Sequence, residues 1–428
     1  MEKKPKFQST RQQNESAKKP RAEKKSKTPK SAEIKKEEPR IIRVLNFLES
    51  RYQLRVNEVT QKIEGKAIWS REPYQEMNDN DLMFELYEAG FNKFKDEFKV
   101  LFNSSKIERY DPFLEYFDSL PIWKENDPDY INELADYVKT DNQEWWKWML
   151  KKHLVRMVGQ AIGHLSFNKH CLTLVGNQND GKTSFWDFIT PQALKQYQRK
   201  GFDFAKKDGL ISLIQNFLIN LDELASFEKK DLNNSFKSVI SESEVRYRPL
   251  FANYETTIRR RASFVATTNK MEFLTDETGN VRWIPFVVQS VNHDFGGPKG
   301  YSRNIDINKV WSQAYALLRN GFNYHLTPEE IEQQEGINKQ FQTITDEMDV
   351  ISRFLKPSKK GSIDSEFLSS TEIGDYLRSK TTTRFYSSTV GKALTSLGFE
   401  RVTHYTPEKQ SRKGYFVQKI TEYTYLLT

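Results

Sequence analysis

Apolar residues recur at helical spacing in Ile41, Val44, Leu45 and Leu48, then alternate through Tyr52, Leu54, Val56 and Val59. The chain therefore opens its folded part with a helix followed by a short strand. Helical spacing returns from about Asp81 to Leu101 and predicts one long helix. Asp111-Pro112 supplies a capping carboxylate and a proline at the first helical position, ahead of an inward stripe of Phe113, Tyr116, Phe117 and Leu120. A further helix spans about 144–165, with Trp146, Leu150, Leu154, Met157 and Ala161 on one face. Trp145, Trp146 and Trp148 could stack on bases, but such a stripe predicts core. His153, His164 and His170 lack the carboxylate or thiol neighbours of a metal site.

Beyond this helix the period changes. Residues 172–175, 217–221 and 262–267 are short apolar runs of the kind found in strands buried on both faces. Residues 245–254 alternate as a hairpin with Pro249 and Asn253 near its tip. In the last region, Ser370, Thr371 and Glu372 open one helix, Ser387 and Ser388 open another that ends at Gly398, and residues 399–406 and 414–420 alternate as two strands. Helix, turn, helix and hairpin is the layout of a winged helix, with the second helix as reader and the loop between the strands as wing. The expected fold is a multidomain α/β chain. It has a tail at 1–40, a mainly helical N-terminal domain at 41–143, a phosphate-loop ATPase domain with a parallel sheet at 144–345, and a C-terminal winged helix at 346–428.

Charge separates the first of these segments from the others. Residues 1–40 hold 14 Lys and Arg against 6 Asp and Glu, a net of +8 that equals the net of all 428 residues. Rich in Lys, Ser, Pro and Glu, this tail buries too little apolar surface to offset its ordering entropy, which predicts disorder. Two roles remain open for it: holding a polyanion such as DNA by counterion release, or solubilising the chain. With Cys171 as the only cysteine, an intramolecular disulfide and a zinc ribbon are both excluded. No run reaches the 18–20 apolar residues of a membrane span, and the basic N-terminus lacks a hydrophobic stretch, so a cytoplasmic protein without a membrane partner is expected.

The chemistry concentrates after the first apolar run. Gly176, Asn177, Gln178, Asn179, Asp180, Gly181, Lys182 and Thr183 form a phosphate-binding loop, followed by Ser184 and a helical pattern through Phe185, Trp186 and Ile189. Two glycines free the backbone to curl its N–H groups around the β- and γ-phosphates. Lys182 sets a cation on those oxygens, and Thr183 offers a hydroxyl to Mg²⁺ at a helix N-terminus whose dipole favours the anion. The second apolar run ends in Asp222-Glu223, an acidic pair suited to hold Mg²⁺ through water (Asp222) and to polarise the attacking water (Glu223). The third ends in Thr268-Asn269, which would aim the Asn269 amide at the γ-phosphate, because ligands sit beyond the carboxyl ends of parallel strands. Arg260 and Arg282 stand in flanking basic segments, as arginine fingers reaching a neighbour's γ-phosphate or as parts of a basic patch. Lys237, Arg246, Arg248 and Tyr254 mix charge and rings around the hairpin, as a grip on a sugar-phosphate backbone requires, with an ordinary surface hairpin as the alternative. Lys392 on the second C-terminal helix, with Arg412 and Lys413 on the wing, would face DNA, although winged helices also mediate protein contacts.

Together, residues 176–183, Leu221-Asp222-Glu223, Lys237, residues 260–269 and residues 276–283 resemble the virulence-associated protein E family. Its members are AAA-type ATPases related to superfamily 3 helicases and occur in replication modules of phages and mobile elements. Tyr110-Asp111-Pro112 to Leu120-Pro121 resembles that family's region before the ATPase, so the likeness extends over roughly 41–345. The resemblance implies ATP and Mg²⁺ as cofactors, with Lys182 and Thr183 on phosphate and metal and Asp222 and Glu223 on metal and water. It also implies Asn269 as sensor, and Arg260 and Arg282 at the nucleotide or subunit boundary. It further implies a homo-oligomeric ring, often a hexamer, translocating on single-stranded DNA. Asn179 stands where the family's loop often has a further Gly, and tolerates positive φ; Val281-Arg282 stands where paired arginines often occur. The primase portion that often accompanies such helicases is missing, which would place it on a separate polypeptide. The leading expectation is an ATP-dependent DNA helicase or replication initiator. The alternatives are an initiator that uses ATP as an assembly switch without unwinding, and an ATPase that remodels protein partners.

Overall fold

The computed structural model describes residues 38–204, 207–222, 230–248, 254–274, 280–381, 384–405 and 411–420. The expectation of disorder for the basic tail falls almost entirely outside them. The first unit contains α1 (Arg40–Glu49), β1 (Tyr52–Asn57), β2 (Ile63–Ala67), β3 (Gln75–Glu76), α2 (Asp79–Glu88), α3 (Lys95–Asn103) and β4 (Glu108–Tyr110). Its four strands form one sheet in the order β3-β2-β1-β4, packed over Val44, Leu48, Leu82, Leu86, Phe98 and Ile107. The unit is thus mixed rather than mainly helical. The stretch expected as one helix is two. Gly90 at φ 82° and Lys93 at φ 55° leave the helical region and let α2 and α3 turn the same apolar period onto one core.

The next elements belong to the following unit. These are α4 (Pro112–Ser119), α5 (Tyr130–Ala135), β5 (Val138–Thr140) and α6 (Gln143–Ile162). Phe113, Phe117, Ile131 and Leu134 share a core with Leu172, Trp186 and Ile284. The packing boundary therefore falls near residue 111 rather than at 143. Asp111 caps α4 as its sequence predicts, accepting from the N–H groups of Phe113 (3.0 Å) and Leu114 (3.3 Å). The α6 helix departs from the one-face expectation. Every residue from Lys152 to Ala161 is buried, so the helix lies inside the unit rather than on its surface.

Around α6 the chain builds its main sheet. It runs through β6 (Cys171–Val175), α7 (Lys182–Ile189), a 3-10 turn (Gln192–Tyr197), β7 (Gln198–Lys200), α8 (Lys207–Gln215), β8 (Leu218–Leu221) and α9 (Lys230–Ile240). It continues through a hairpin of β9 (Glu244–Tyr247) and β10 (Thr256–Arg259), then β11 (Ser263–Thr268) and β12 (Trp283–Val291). The strand order is β5-β12-β6-β11-β8-β7. Only β5 is antiparallel to its neighbour; the rest run parallel. In register, Thr268 and Val287 both stand beside Val175, so the strands deliver their carboxyl ends to one edge. Helices α10 (Tyr301–Asn304), α11 (Ile307–Arg319) and α12 (Pro328–Asn338) follow, with α11 packed on α6.

The last unit has its own core of Ile351, Ile373, Leu377, Val390, Leu394 and Val417. It contains α13 (Asp346–Phe354), β13 (Leu355–Pro357), β14 (Ser365–Leu368), α14 (Ser370–Lys380), α15 (Ser387–Ser396), β15 (Arg401–Tyr405) and β16 (Ser411–Lys419). Helix, turn, helix and hairpin occur in the expected order. The sheet is larger than two strands, because β13 and β14 also pair with β16.

Asp111 joins two of these layers. Besides capping α4, its Oδ2 accepts from Arg261 Nη1 at 2.6 Å, with the Arg261 side chain 6% exposed. The Asp111→Ala variant should lose about 3–5 kcal/mol of stability, because it leaves a buried guanidinium without its counter-charge. Asp111→Asn retains a capping oxygen and should lose less. Denaturant midpoints of the two variants provide the check.

Candidate functional site

The loop between β6 and α7 owes its shape to residues at its two ends. Gly181 sits at φ 84° and Asn179 at φ 68°, and a Cβ on Gly181 would lie 2.5 Å from His293 Cδ2. No side chain caps α7 at Gly181, so the first-turn N–H groups, which have no partner inside a helix, open toward the cleft above the sheet. The helix is held by Trp186, whose Nε1 donates to the Ala266 carbonyl of β11 at 3.0 Å. Lys182 Nζ donates to the carbonyls of Gly176 (3.0 Å) and Asn177. Burial holds the Lys182 ammonium below its ordinary pKa, against the opposing pull of Asp180 and Asp222. A partly desolvated cation of this kind gains more from an incoming polyanion than a hydrated one.

Asp222, at the end of β8, is exposed to the same cleft. Its Oδ1 accepts from Thr267 Oγ1 at 2.6 Å and from Thr183 Oγ1 at 3.0 Å. Three segments, β8, β11 and the start of α7, therefore meet at one carboxylate oxygen. The cleft has a volume of about 970 Å³. Its walls include Gln178, Asn179, Asp180, Gly181, Lys182, Thr183 and Ser184 from the loop, Asp222 and Asn269 from strand ends, and His293 and Phe295 from the segment after β12. Gly176 lies at the foot of the loop, where a Cβ would meet Asp180 Oδ2 at 3.1 Å and the Val288 carbonyl at 3.2 Å. A hydroxyl, a carboxylate, an ammonium and a row of amides facing one cavity fit a nucleoside triphosphate with its divalent cation. Glu223 lies outside the described residues.

The two arginines are placed otherwise. Arg260 is fully buried at the amino end of β11. It donates to the carbonyls of Ala262 (2.8 Å), Ile240 (2.6 Å) and Asn168 (3.2 Å). Burial lowers its pKa to about 9, so it remains charged at neutral pH, held by peptide dipoles. A strand of six residues separates it from Asn269, about 20 Å at about 3.3 Å per residue. Arg260 is therefore a core residue and not a ligand of the nucleotide, which corrects the sequence expectation. Arg282 immediately precedes β12, whose Trp283 pairs with Cys171 at the start of β6. It too stands at the amino edge of the sheet, a strand length from its own phosphate loop.

The hairpin leads directly into that same amino edge, through the Arg260 N–H bond to the Ser243 carbonyl at 2.8 Å. Lys237, in the last turn of α9, and Arg246, on β9, lie at this pole, while Arg248 and Tyr254, the latter 83% exposed, flank the hairpin's tip. None of the four lines the cleft beside the phosphate loop. In the last unit, Lys392, Arg401 and Lys413 line one cleft of about 530 Å³ with Ser370, Ser388 and Thr395. Arg412 instead bonds Glu372 Oε1 at 2.7 Å. Two of the three tryptophans of α6, Trp145 and Trp146, are buried as the core expectation requires, whereas Trp148 is 38% exposed. Trp146 is fully buried, Trp145 Nε1 donates to Gln334 (2.9 Å), and Trp148 Nε1 donates to Glu330 (2.5 Å).

Residues 118–343 match the virulence-associated protein E-like domain, more than half of the chain. The chain belongs to this family. The match starts inside α4 and leaves the first unit outside, a narrower reach than the 41–345 expected. No curated protein matches. Among solved structures, the apo C-terminal region of NrS-1 (residues 305–718 of that protein) is 11% identical, covering 90% of this chain and 100% of that one with a TM-score of 0.48. SCCmec type IV Cch, described as an active helicase, is 11% identical over 88% of this chain and 94% of that one, at a TM-score of 0.38. The helicase of JCV is 11% identical over 64% and 75%, at a TM-score of 0.27. Among the described residues, this family member has no helix long and apolar enough to cross a membrane.

Sequence reasoning missed Thr267, which it assigned only to the strand, and His293. A polar residue at the end of an otherwise apolar strand was the available signal for Thr267. His293 had none, because its approach to Gly181 depends on the path taken after β12. Arg260→Ala should lower stability by about 3 kcal/mol or more, since it strips a buried carbonyl cluster of its donors. Asp222→Ala, at an exposed position, should stay within about 1 kcal/mol of wild type. Thermal unfolding of the pair separates the core residue from the cleft residue.

Proposed function

We propose that this protein is an ATP-driven, ring-forming DNA helicase or replication initiator of a phage or mobile element. The observation that carries the reading is the convergence of Thr183 and Thr267 on Asp222 Oδ1 beside Lys182, with Asn269 on the same cleft wall. Membership of the virulence-associated protein E-like family supports it.

On this reading the first-turn amides of α7 and the Lys182 ammonium bind the β- and γ-phosphates. Thr183 and Asp222 would hold Mg²⁺, which neutralises charge on the phosphate oxygens when bound. Thr267 keeps the Asp222 carboxylate turned toward Thr183. Glu223 accepts a proton from the attacking water, and Asn269 orients that water and the terminal phosphate. Arg282, a strand length from its own phosphate loop, serves a neighbouring subunit's site across the ring. The hairpin with Lys237, Arg246, Arg248 and Tyr254 faces DNA from the pole opposite the nucleotide. The last unit acts as a winged helix, with Lys392 and Lys413 on the DNA backbone.

Lys182→Ala should abolish ATP binding, and Glu223→Gln should bind ATP but turn it over about 10²-fold or more slowly. Nucleotide titration and phosphate release measure both. Strand displacement on a forked duplex decides between the helicase and its alternatives. A preparation that hydrolyses ATP and binds DNA yet never separates strands would leave the switch or the remodelling ATPase. Replacing Lys392 and Lys413 together with Ala should weaken DNA binding and reduce its salt slope by about 2. An unchanged slope would assign that cleft to a protein contact.

A further inference from the structure

The nucleotide cleft has two unlike walls. Strand β6 carries the phosphate loop and lies between β11 and β12 in the sheet. On the β11 side stand Asp222, Thr267 and Asn269, all polar and arranged for the reacting end of a triphosphate. The rest of the lining brings Phe188, His293, Phe295 and Tyr301 together with Asp187, Lys195 and Ser302. At about 970 Å³ the cleft is at the upper end of the usual range for small-molecule sites, about 300–1,000 Å³, with more room than phosphates alone require. With the terminal phosphate committed to the acid and amide of the first wall, the other end of the ligand extends along the second.

Phe295 stands out there. It is 95% exposed, yet its backbone is not loose. Asp294 and Phe295 both have φ 43°, and Gly296 has φ 83°, three consecutive residues in the left-handed region. For the two that carry a Cβ this conformation is strained by about 1–2 kcal/mol each. Hydrogen bonds hold the strain in place. His293 Nδ1 accepts from the Phe295 N–H at 3.1 Å, Asp294 Oδ2 accepts from the Lys299 N–H at 2.8 Å, and the Gly296 carbonyl accepts from Arg303 Nε at 3.2 Å. The His293 ring lies edge-on to Phe295, with centroids 4.4 Å apart, and reaches back over Gly181. A strained, bonded turn therefore holds an unshielded aromatic face at the mouth of the cleft, tied through one histidine to the phosphate loop.

We infer that the segment 293–296 is the base-side wall of the nucleotide site, with Phe295 as the stacking platform for the nucleobase. The inference rests on the nucleotide-binding reading above and adds to it the element that recognises the base. Stacking engages a π-face rather than a hydrogen-bonding edge, so the platform accepts ATP and GTP alike.

The test compares the affinity of the full chain for ATP and for inorganic tripolyphosphate, which has no base. Phe295→Ala should weaken ATP binding about tenfold, a loss within the range of one stacked base, and leave tripolyphosphate affinity unchanged. Phe295→Trp should restore ATP affinity, and its added fluorescence over wild type should be quenched by ATP but not by tripolyphosphate. Equal ATP affinity in Phe295→Ala and wild type would overturn the platform, as would a parallel loss of tripolyphosphate, which would make Phe295 a support of the loop or of a subunit contact. Wild-type protein that binds neither ligand would instead overturn the nucleotide site itself.

Discussion

One carboxylate oxygen organises the proposed engine. Asp222 Oδ1 receives hydroxyl hydrogen bonds from Thr183, at the head of α7, and from Thr267, near the end of β11. The contact requires that β8, β6 and β11 end close to one another, and the parallel registers provide that, with Leu221 beside Ala266 and Val175 beside Thr268. It also requires α7 to leave the loop at a fixed angle, which the Trp186 bond to the β11 backbone secures. An oxygen that accepts two hydrogen bonds, one of them short, is fixed in direction without being removed from solvent, a suitable state for a group meant to meet a cation.

The sheet has two chemically distinct edges. Hydroxyls, an amide, a carboxylate and the phosphate loop gather where the parallel strands end. Arginines 259–261, Arg282 and the basic hairpin gather where they begin. Arg260 and Arg261 are neutralised there by carbonyl dipoles and by Asp111, so they join the layers of the unit instead of leaving it. This separation puts the phosphate loop at one pole of the unit and cationic side chains at the other, the asymmetry on which the proposed head-to-tail ring depends.

Polar groups also bind the first unit to the unit that carries the phosphate loop. Asn57 Nδ2 donates to Glu64 Oε1 and to Tyr197 OH, each at 2.7 Å, and Tyr110 OH donates to Glu64 Oε2 at 2.6 Å. Arg55 lies over the rings of Tyr74 (4.1 Å) and Tyr110 (3.6 Å). Tyr197 closes the 3-10 turn whose Lys195 lines the cleft above the sheet. A continuous chain of contacts therefore runs from the N-terminal sheet to the wall of the site. Satisfied networks of this kind specify one relative arrangement, because shifting either partner strands several buried polar atoms at once.

The chain's local chemistry was legible without coordinates. The phosphate loop, the acidic end of the second buried strand, the Asp111-Pro112 helix start and the order of C-terminal elements all follow from residues within a few positions of one another. Backbone freedom at Gly181, a capping oxygen and a change of apolar period act over that range. What escaped depended on partners distant in sequence. Arg260 reads as a free cation until Asn168 and Ile240 supply carbonyls around it. The two helices α2 and α3 read as one because both turn toward the same core, and α6 reads as one-faced although the fold encloses it. Thr267, His293 and Phe295 acquire their places only when parallel strands bring their ends to a common edge. The sequence alone determined which groups could meet a phosphate; strand order and register decided which of them share one cleft, because side chains far apart along the chain converge only through the hydrogen-bonded alignment of the strands that carry them.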